Sequence, residues 1–230
     1  MKRVLVAGAG GGIGAACVRA ARAGGAEVFG VDRDSHDVTT SAGADAAVAA
    51  AVETLGGLDG IVHALGMSGR RLGDGPVTEC TDDAWREVHR VNLDSVFYLL
   101  RAGMRALSDT GGSIVVIGSA LASTLDQDFL TAAYASAKGA LVPLVRSAAF
   151  AGAPHGVRVN IVAAGLVDTP MAARAMTNPA IQDRLPQLMP LGARACTADE
   201  IAQAVTWLLS DDSARTTGTV VPVDGGWQLR

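Results

Sequence analysis

Six short apolar runs alternate along the chain with alanine-rich stretches, and this alternation limits the possible folds more than any other feature. The runs are Arg3–Ala7, Glu27–Val31, Gly60–Ala64, Ser113–Gly118, Arg158–Ala163 and Thr219–Val223. Most are apolar throughout rather than at every second residue, as strands are when helices cover both faces of a sheet. Between them lie helix candidates at Ile13–Ala23, Ala44–Leu55, Asp82–Leu107, Ala132–Ala151 and Ala198–Ser210. Thr81 before Asp82 and Asp83 marks a helix start, and Thr197 with Glu200 spells a capping box. The pattern predicts βαβ units and so an α/β fold, a parallel doubly wound sheet in three layers. No repeat, linker or low-complexity tract divides the 230 residues, which suit a single domain over 1–230.

Composition removes several function classes. A net charge of −4 leaves no dominant basic face, which argues against nucleic acid or an anionic membrane as partner. Aromatic residues, at 4%, are too few for base-stacking platforms. No apolar run is long enough to predict a membrane span. The basic and apolar N-terminus resembles a secretory leader, but five glycines from Gly8 to Gly14 would spoil its helix. Cys17, Cys80 and Cys196 are odd in number and far apart, which predicts no disulfide framework and fits a reducing, cytoplasmic setting. The four histidines lack metal-ligand spacing, so no metal is expected.

The first strand runs into AGAGGGIG, with Gly8, Gly12 and Gly14 at i, i+4 and i+6. A backbone that must approach a pyrophosphate needs residues without Cβ, and the following helix offers its N-terminal donors and dipole to the charge. The usual Gly-x-Gly-x-x-Gly spelling fails at Ile13, and no Lys-Ser or Lys-Thr follows to make a P-loop. The second strand ends at Asp32, placed to accept from a ribose diol and to repel a 2′-phosphate, which favours NAD. Arg33 beside it can pair with such a phosphate, so NADP stays open.

Tyr134 and Lys138 stand at i and i+4, in a chain with two tyrosines and two lysines. Chance supplies only about 0.02 such pairs for this composition. On a helix both residues share one face. An ammonium about 6 Å from the phenol, at an effective dielectric of about 20, contributes roughly 3 kcal/mol, or about two pKa units. That predicts a tyrosine lowered toward neutral pH as a general acid/base.

With these residues in order, the sequence resembles the short-chain dehydrogenase/reductase family over nearly its whole length: AGAGGGIG, VNLDSVF, IVVIGSA, YASAK, VRVNIVAAGLVDTPM and VDGGW. The resemblance implies a Rossmann-type sheet and a catalytic set of Asn92, Ser119, Tyr134 and Lys138. Tyr134 then exchanges the proton at the substrate oxygen, Ser119 hydrogen-bonds that oxygen, Lys138 holds the nicotinamide ribose, and Asn92 holds a water linked to Lys138. It also implies cofactor contacts at Gly8, Gly12, Ile13, Gly14, Asp32, Arg33, Asp37, Val38, Ala64, Gly66, Tyr134, Lys138, Val167 and Thr169. In those terms residues 1–110 are mainly the dinucleotide-binding half, and 111–230 carry catalysis and substrate. The chain departs from the family pattern in four places. Ser119 precedes Tyr134 by 15 residues where 13 is common in the family, and Ser123 is nearby, although IVVIGSA aligns Ser119. Asp37 follows Asp32 by only five positions, as if a helix and the lead-in to a strand were deleted. The family's Asn-Asn-Ala-Gly is His63-Ala64-Leu65-Gly66, and its Pro-Gly is Ala164-Gly165.

Less is legible of the substrate. Residues 169–194 hold four of eight prolines and Met171, Met176 and Met189, a composition suited to an adaptable apolar lid or to plain packing on the sheet. Asp126, Gln127 and Asp128 suit substrate hydroxyls or a solvated loop tip, and Arg70 and Arg71 a passing phosphate-bearing thioester tail or a surface loop. The expected function is an NAD-dependent oxidoreductase interconverting a secondary alcohol and a ketone, as a homotetramer or dimer. The rivals are an NADPH-dependent 3-oxoacyl-thioester reductase, a lyase or epimerase using transient oxidation, and a non-catalytic NAD(H) sensor or scaffold.

Overall fold

The computed structural model describes residues 2–229. Six parallel strands, β1 (Arg3–Ala7), β2 (Glu27–Val31), β3 (Gly60–His63), β4 (Gly112–Ser119), β5 (Val157–Ala164) and β6 (Val220–Val223), form one sheet in the order β2-β1-β3-β4-β5-β6. Each lies within about a residue of an apolar run, and the continuous apolar character has the expected cause. Val4 and Val6 face one layer, with Val62, Val115 and Val162, against α1 (Gly12–Ala23) and, through Ile201, Val205 and Leu208, α8 (Ala198–Leu209). Leu5 and Ala7 face the other, with Ile61, Ile114 and Ile161, against α2 (Ser41–Leu55), α4 (Ser95–Ala106) and α5 (Ala132–Gly152). Strand residues alternate between faces, so two covered faces favour an apolar residue at nearly every position.

The predicted helix Asp82–Leu107 is not continuous. It is α3 (Asp82–His89), a π-helical turn at Arg90–Asp94, and α4. The cause is tertiary. Asn92 Nδ2 donates to Val88 O at 3.0 Å and to Met67 O at 3.0 Å, while its Oδ1 accepts from Met67 N at 3.2 Å. The turn carries Asn92 into these bonds at the cost of one regular helical turn. No helix separates β2 from Asp37: a turn leads straight to Thr40, whose side chain caps α2 by accepting from Gly43 N at 3.1 Å. Both capping signals read from sequence are made, Thr81 to Ala84 N at 3.1 Å and the reciprocal Thr197–Glu200 pair.

Strand order reverses between β1 and β3, where the connections run to opposite faces. Ligand crevices open at such a point beyond the strands' C-terminal ends. The loops leaving β1 and β3 are in contact there: a Cβ on Gly8, which has φ +82°, would stand 2.9 Å from Ala64 C.

Candidate active site

The site is assembled from four strand ends. After β1 the chain enters α1 without a side-chain cap, and the first intrahelical bond at this end is Ala15 N to Gly11 O at 2.7 Å. The amides of Gly12, Ile13 and Gly14 therefore have no intrahelical acceptor and aim out of the helix's positive end. The glycines here are sterically required. A Cβ on Gly14 would lie 1.9 Å from Gly8 O, and one on Gly12 2.6 Å from Thr169 Cγ2. Asp32, exposed at the end of β2, accepts from Gly10 N at 2.7 Å, which locks the loop to the second strand. A narrow cradle of free amides with a carboxylate at its side fits the pyrophosphate and adenosine ribose of a dinucleotide.

Beyond the cradle a cleft of about 200 Å³ opens between the loops after β3, β4 and β5. Of the residues implied by resemblance it brings together Ile13, Ala64, Gly66, Ser119, Tyr134, Lys138, Val167 and Thr169. Asn92 is fully buried behind the wall, near Gly66, where a Cβ would stand 3.0 Å from its Oδ1. Arg33 is exposed beside Asp32. Asp37 and Val38 lie outside the cleft. Asp37 Oδ1 accepts from Thr39 N at 3.0 Å and from its hydroxyl, and these bonds, with Arg90 and Arg33 nearby, lower its pKa. Val38 is buried in the core against α2.

Ser119 ends β4, and its Oγ accepts from Leu121 N at 3.2 Å and shares a hydrogen bond with the Tyr134 hydroxyl. Ser123 instead donates to Gln228 Oε1 at 2.7 Å. Tyr134 and Lys138 share one face of α5, with Nζ 5.9 Å from the phenol ring centroid. The electrostatic expectation is overturned nonetheless. Burial pushes the Tyr134 pKa above its ordinary value, with the Ser119 hydrogen bond pulling the other way. Lys138 is not among the causes. Its Nζ lies over the ring and donates to Ile117 O at 2.8 Å, and burial pushes its own pKa down to about 8. Desolvation of both groups outweighs their attraction.

Sequence reasoning missed three residues. Asp74 caps α5, its carboxylate oxygens accepting from Ala133 N and Tyr134 N, each at 3.0 Å. His63 is buried at the end of β3, with Nε2 2.8 Å from Ser95 Oγ; burial, then the Lys138 charge, push its pKa down to about 3. Arg174 lines the cleft with Arg70, while Arg71 is exposed. Asp126 and Asp128 neither face substrate nor stand free in solvent; both pair with Arg184, Asp126 at 2.6 Å. The methionines divide: Met171 lines the cleft just before α6 (Ala173–Thr177), whereas Met189, just after α7 (Pro179–Leu188), is fully buried with Ile181, Leu185 and Leu188.

A family model described as enoyl-(acyl carrier protein) reductase matches residues 34–228. Galactitol 2-dehydrogenase (L-tagatose-forming) of Cereibacter sphaeroides is 33% identical over 97% of this chain and 94% of its own length. L-xylulose reductase of Bos taurus is 33% identical over 98% and 96%. A solved short-chain type dehydrogenase/reductase from Mycobacterium ulcerans superposes with a TM-score of 0.92 at 29% identity, covering 100% of this chain and 90% of that one.

Proposed function

The chain belongs to the short-chain dehydrogenase/reductase family, a nicotinamide-dependent oxidoreductase acting on CH–OH groups, and from that premise we propose that it uses NAD(H) to interconvert a secondary alcohol and a ketone, with Tyr134 exchanging the proton. The observation that carries this reading is the meeting of Ser119, Tyr134 and Lys138 in one cleft that adjoins the glycine cradle.

The nicotinamide, when bound, supplies or takes up the hydride. Tyr134, kept protonated by its raised pKa, donates to the carbonyl oxygen in the reductive direction, and Ser119 stabilises the charge growing on that oxygen. Lys138 holds the ribose, and with a pKa near 8 it exchanges protons close to neutral pH. Asn92 fixes the backbone of Met67, and so the loop carrying Gly66 beside Lys138. The amides of Gly12, Ile13 and Gly14 would hold the pyrophosphate beside Thr169, which packs on Gly12, and Val167 would meet the cofactor from the adjoining cleft wall. Asp32 selects NAD by repelling a 2′-phosphate. In the oxidative direction the phenol must first lose its proton, so alcohol oxidation is expected to rise with pH where ketone reduction falls.

We assign 1–230 as one functional unit and, of the expected 169–194 lid, keep Thr169–Ala175 over the cleft, because Ile181, Leu185, Leu188 and Met189 are buried in the core. Exposed Phe97 on α4 and Phe150 on α5 support a homo-oligomer formed through those helices. Among the described residues no helix is long and apolar enough to cross a membrane. The NADPH-dependent 3-oxoacyl-thioester reductase is retained as a second reading, because Arg33 adjoins Asp32 and the matching family model carries an acyl-carrier description. Initial rates with NADH and NADPH on a panel of cyclic, polyol and acyl-thioester ketones decide. Faster turnover with NADH on a non-thioester ketone is expected; clear NADPH preference on a thioester overturns the choice.

A further inference from the structure

The cleft is apolar along most of its wall, yet two guanidinium groups stand at one side of it. Arg70, half-buried after β3, and Arg174, exposed at the end of the segment that follows β5, both line it with Leu121, Phe129, Met171 and Trp227. They converge on one acceptor. Arg70 Nη2 donates to Asp128 O at 3.1 Å and Leu130 O at 3.4 Å, and Arg174 Nη2 donates to the same Asp128 O at 2.8 Å. Each guanidinium has five N–H donors. Most of these have no partner among the described residues, and neither arginine forms an ion pair there.

Neighbouring carboxylates act on Arg70 electrostatically but form no ion pair with either arginine among the described residues, because their oxygens are engaged elsewhere. Asp74 uses both oxygens on the amides that open α5, and Asp128 is paired with Arg184. Holding the loop is not a sufficient reason for the two cations either. Arg184 already anchors that loop through Asp126 and Asp128 from outside the cleft, and two like charges meeting at one carbonyl oxygen repel each other. Forked donors left over at an apolar cavity wall match a planar or tetrahedral oxyanion.

We propose that Arg70 and Arg174 are the anion-binding end of this cleft, and that the substrate is a secondary alcohol or ketone bearing a carboxylate or another oxyanion group. The assignment rests on the reading of the cleft as the oxidoreductase's substrate site. It makes the two arginines specificity-determining residues, with the reacting carbon held at Ser119 and Tyr134 and the anion at the mouth.

The test compares levulinate and its longer straight-chain homologues with the primary amide of each, isosteric but uncharged. Binding is read in the NAD⁺-loaded enzyme, where a ketone cannot be reduced, from tryptophan emission, since Trp227 stands in the cleft wall. At least one acid is expected to bind about tenfold to hundredfold more tightly than its amide, the size of a charge-assisted contact. Arg70→Gln with Arg174→Gln should abolish that ratio, and the corresponding lysine variants should restore part of it. Arg184→Gln loosens the same loop without removing a cleft cation and should keep the ratio. Equal binding of every acid and amide overturns the proposal, as does a ratio that survives in the double glutamine variant or vanishes in Arg184→Gln. An acid that binds selectively but is never reduced with NADH or NADPH upholds the anion site and counts against the proposed reaction.

Discussion

Replacing Asp74 by alanine should weaken the protein and disturb its chemistry together, because this one carboxylate opens the helix that carries Tyr134. Helix α5 has no side-chain cap of its own: Thr131 precedes it, but the Thr131 side chain accepts no helix amide. Its first-turn donors are met by a distant loop instead. Gly75 O accepts from Ala132 N at 2.8 Å, and Asp74 Oδ1 and Oδ2 accept from Ala133 N and Tyr134 N. Asp74 is 5% exposed, so water cannot readily replace it, and its negative charge lies at the positive end of a helix. Removing it strands two buried amides at about 1–3 kcal/mol each, less what the loop recovers by relaxing, or about 3 kcal/mol in all. For a chain of this size that corresponds to a fall in Tm of about 6–12 °C. Asp74→Asn retains one acceptor and should lose about half as much. Because one of the two stranded amides is that of Tyr134, kcat should fall about tenfold in Asp74→Ala while the affinity for NAD changes little. Thermal unfolding and steady-state kinetics on the two variants suffice. A Tm within 2 °C of the parent, with kcat within about twofold, would refute the reasoning.

Three further outcomes follow from buried groups and close contacts. His63 has a folded pKa near 3 against an ordinary 6.5, so the unfolded chain binds the extra proton between those values; stability present above pH 6.5 should drain away toward pH 3, by about 5 kcal/mol in full, and His63→Asn should flatten that acid slope in urea unfolding. Lys138 is lowered from 10.5 to about 8, so the cost of burying its charge, about 3 kcal/mol, is present below pH 8 and relieved as pH rises to 10.5; the stability gap between cofactor-free Lys138→Met and the parent should close over that window. Gly14→Ala places a Cβ 1.9 Å from Gly8 O, so the glycine loop must open; dinucleotide binding should drop at least tenfold by fluorescence titration, and unchanged affinity would mean the cradle is not the binding site.

What could be read from sequence and what could not have different physical origins. The strands were legible because both faces of the sheet are covered, which leaves an apolar signature at every position of runs such as Val4–Val6 and Ile114–Ile117. The glycine loop was legible because Gly8 and Gly14 approach backbone that no side chain can share. The break in Asp82–Leu107 was not, since it depends on Asn92 bonding to Met67, 25 positions earlier. Asp74 was equally hidden: nothing in its own loop marks it, and the one available clue was that the Thr131 start lacks a reciprocal acid three residues on. The Tyr134–Lys138 spacing was correct about the shared face and wrong about the resulting pKa. Spacing does not report burial, nor the carbonyl of Ile117 that holds the ammonium over the ring.

The most direct test of the proposed chemistry is Tyr134→Phe, measured for turnover and for cofactor binding in the same preparation. If Tyr134 carries the proton, kcat on a ketone should fall by about 10²–10⁴ while NAD affinity stays within a few-fold. A phenylalanine variant that still reduces the ketone at near-parental rate would contradict that assignment, whatever the cofactor preference proves to be.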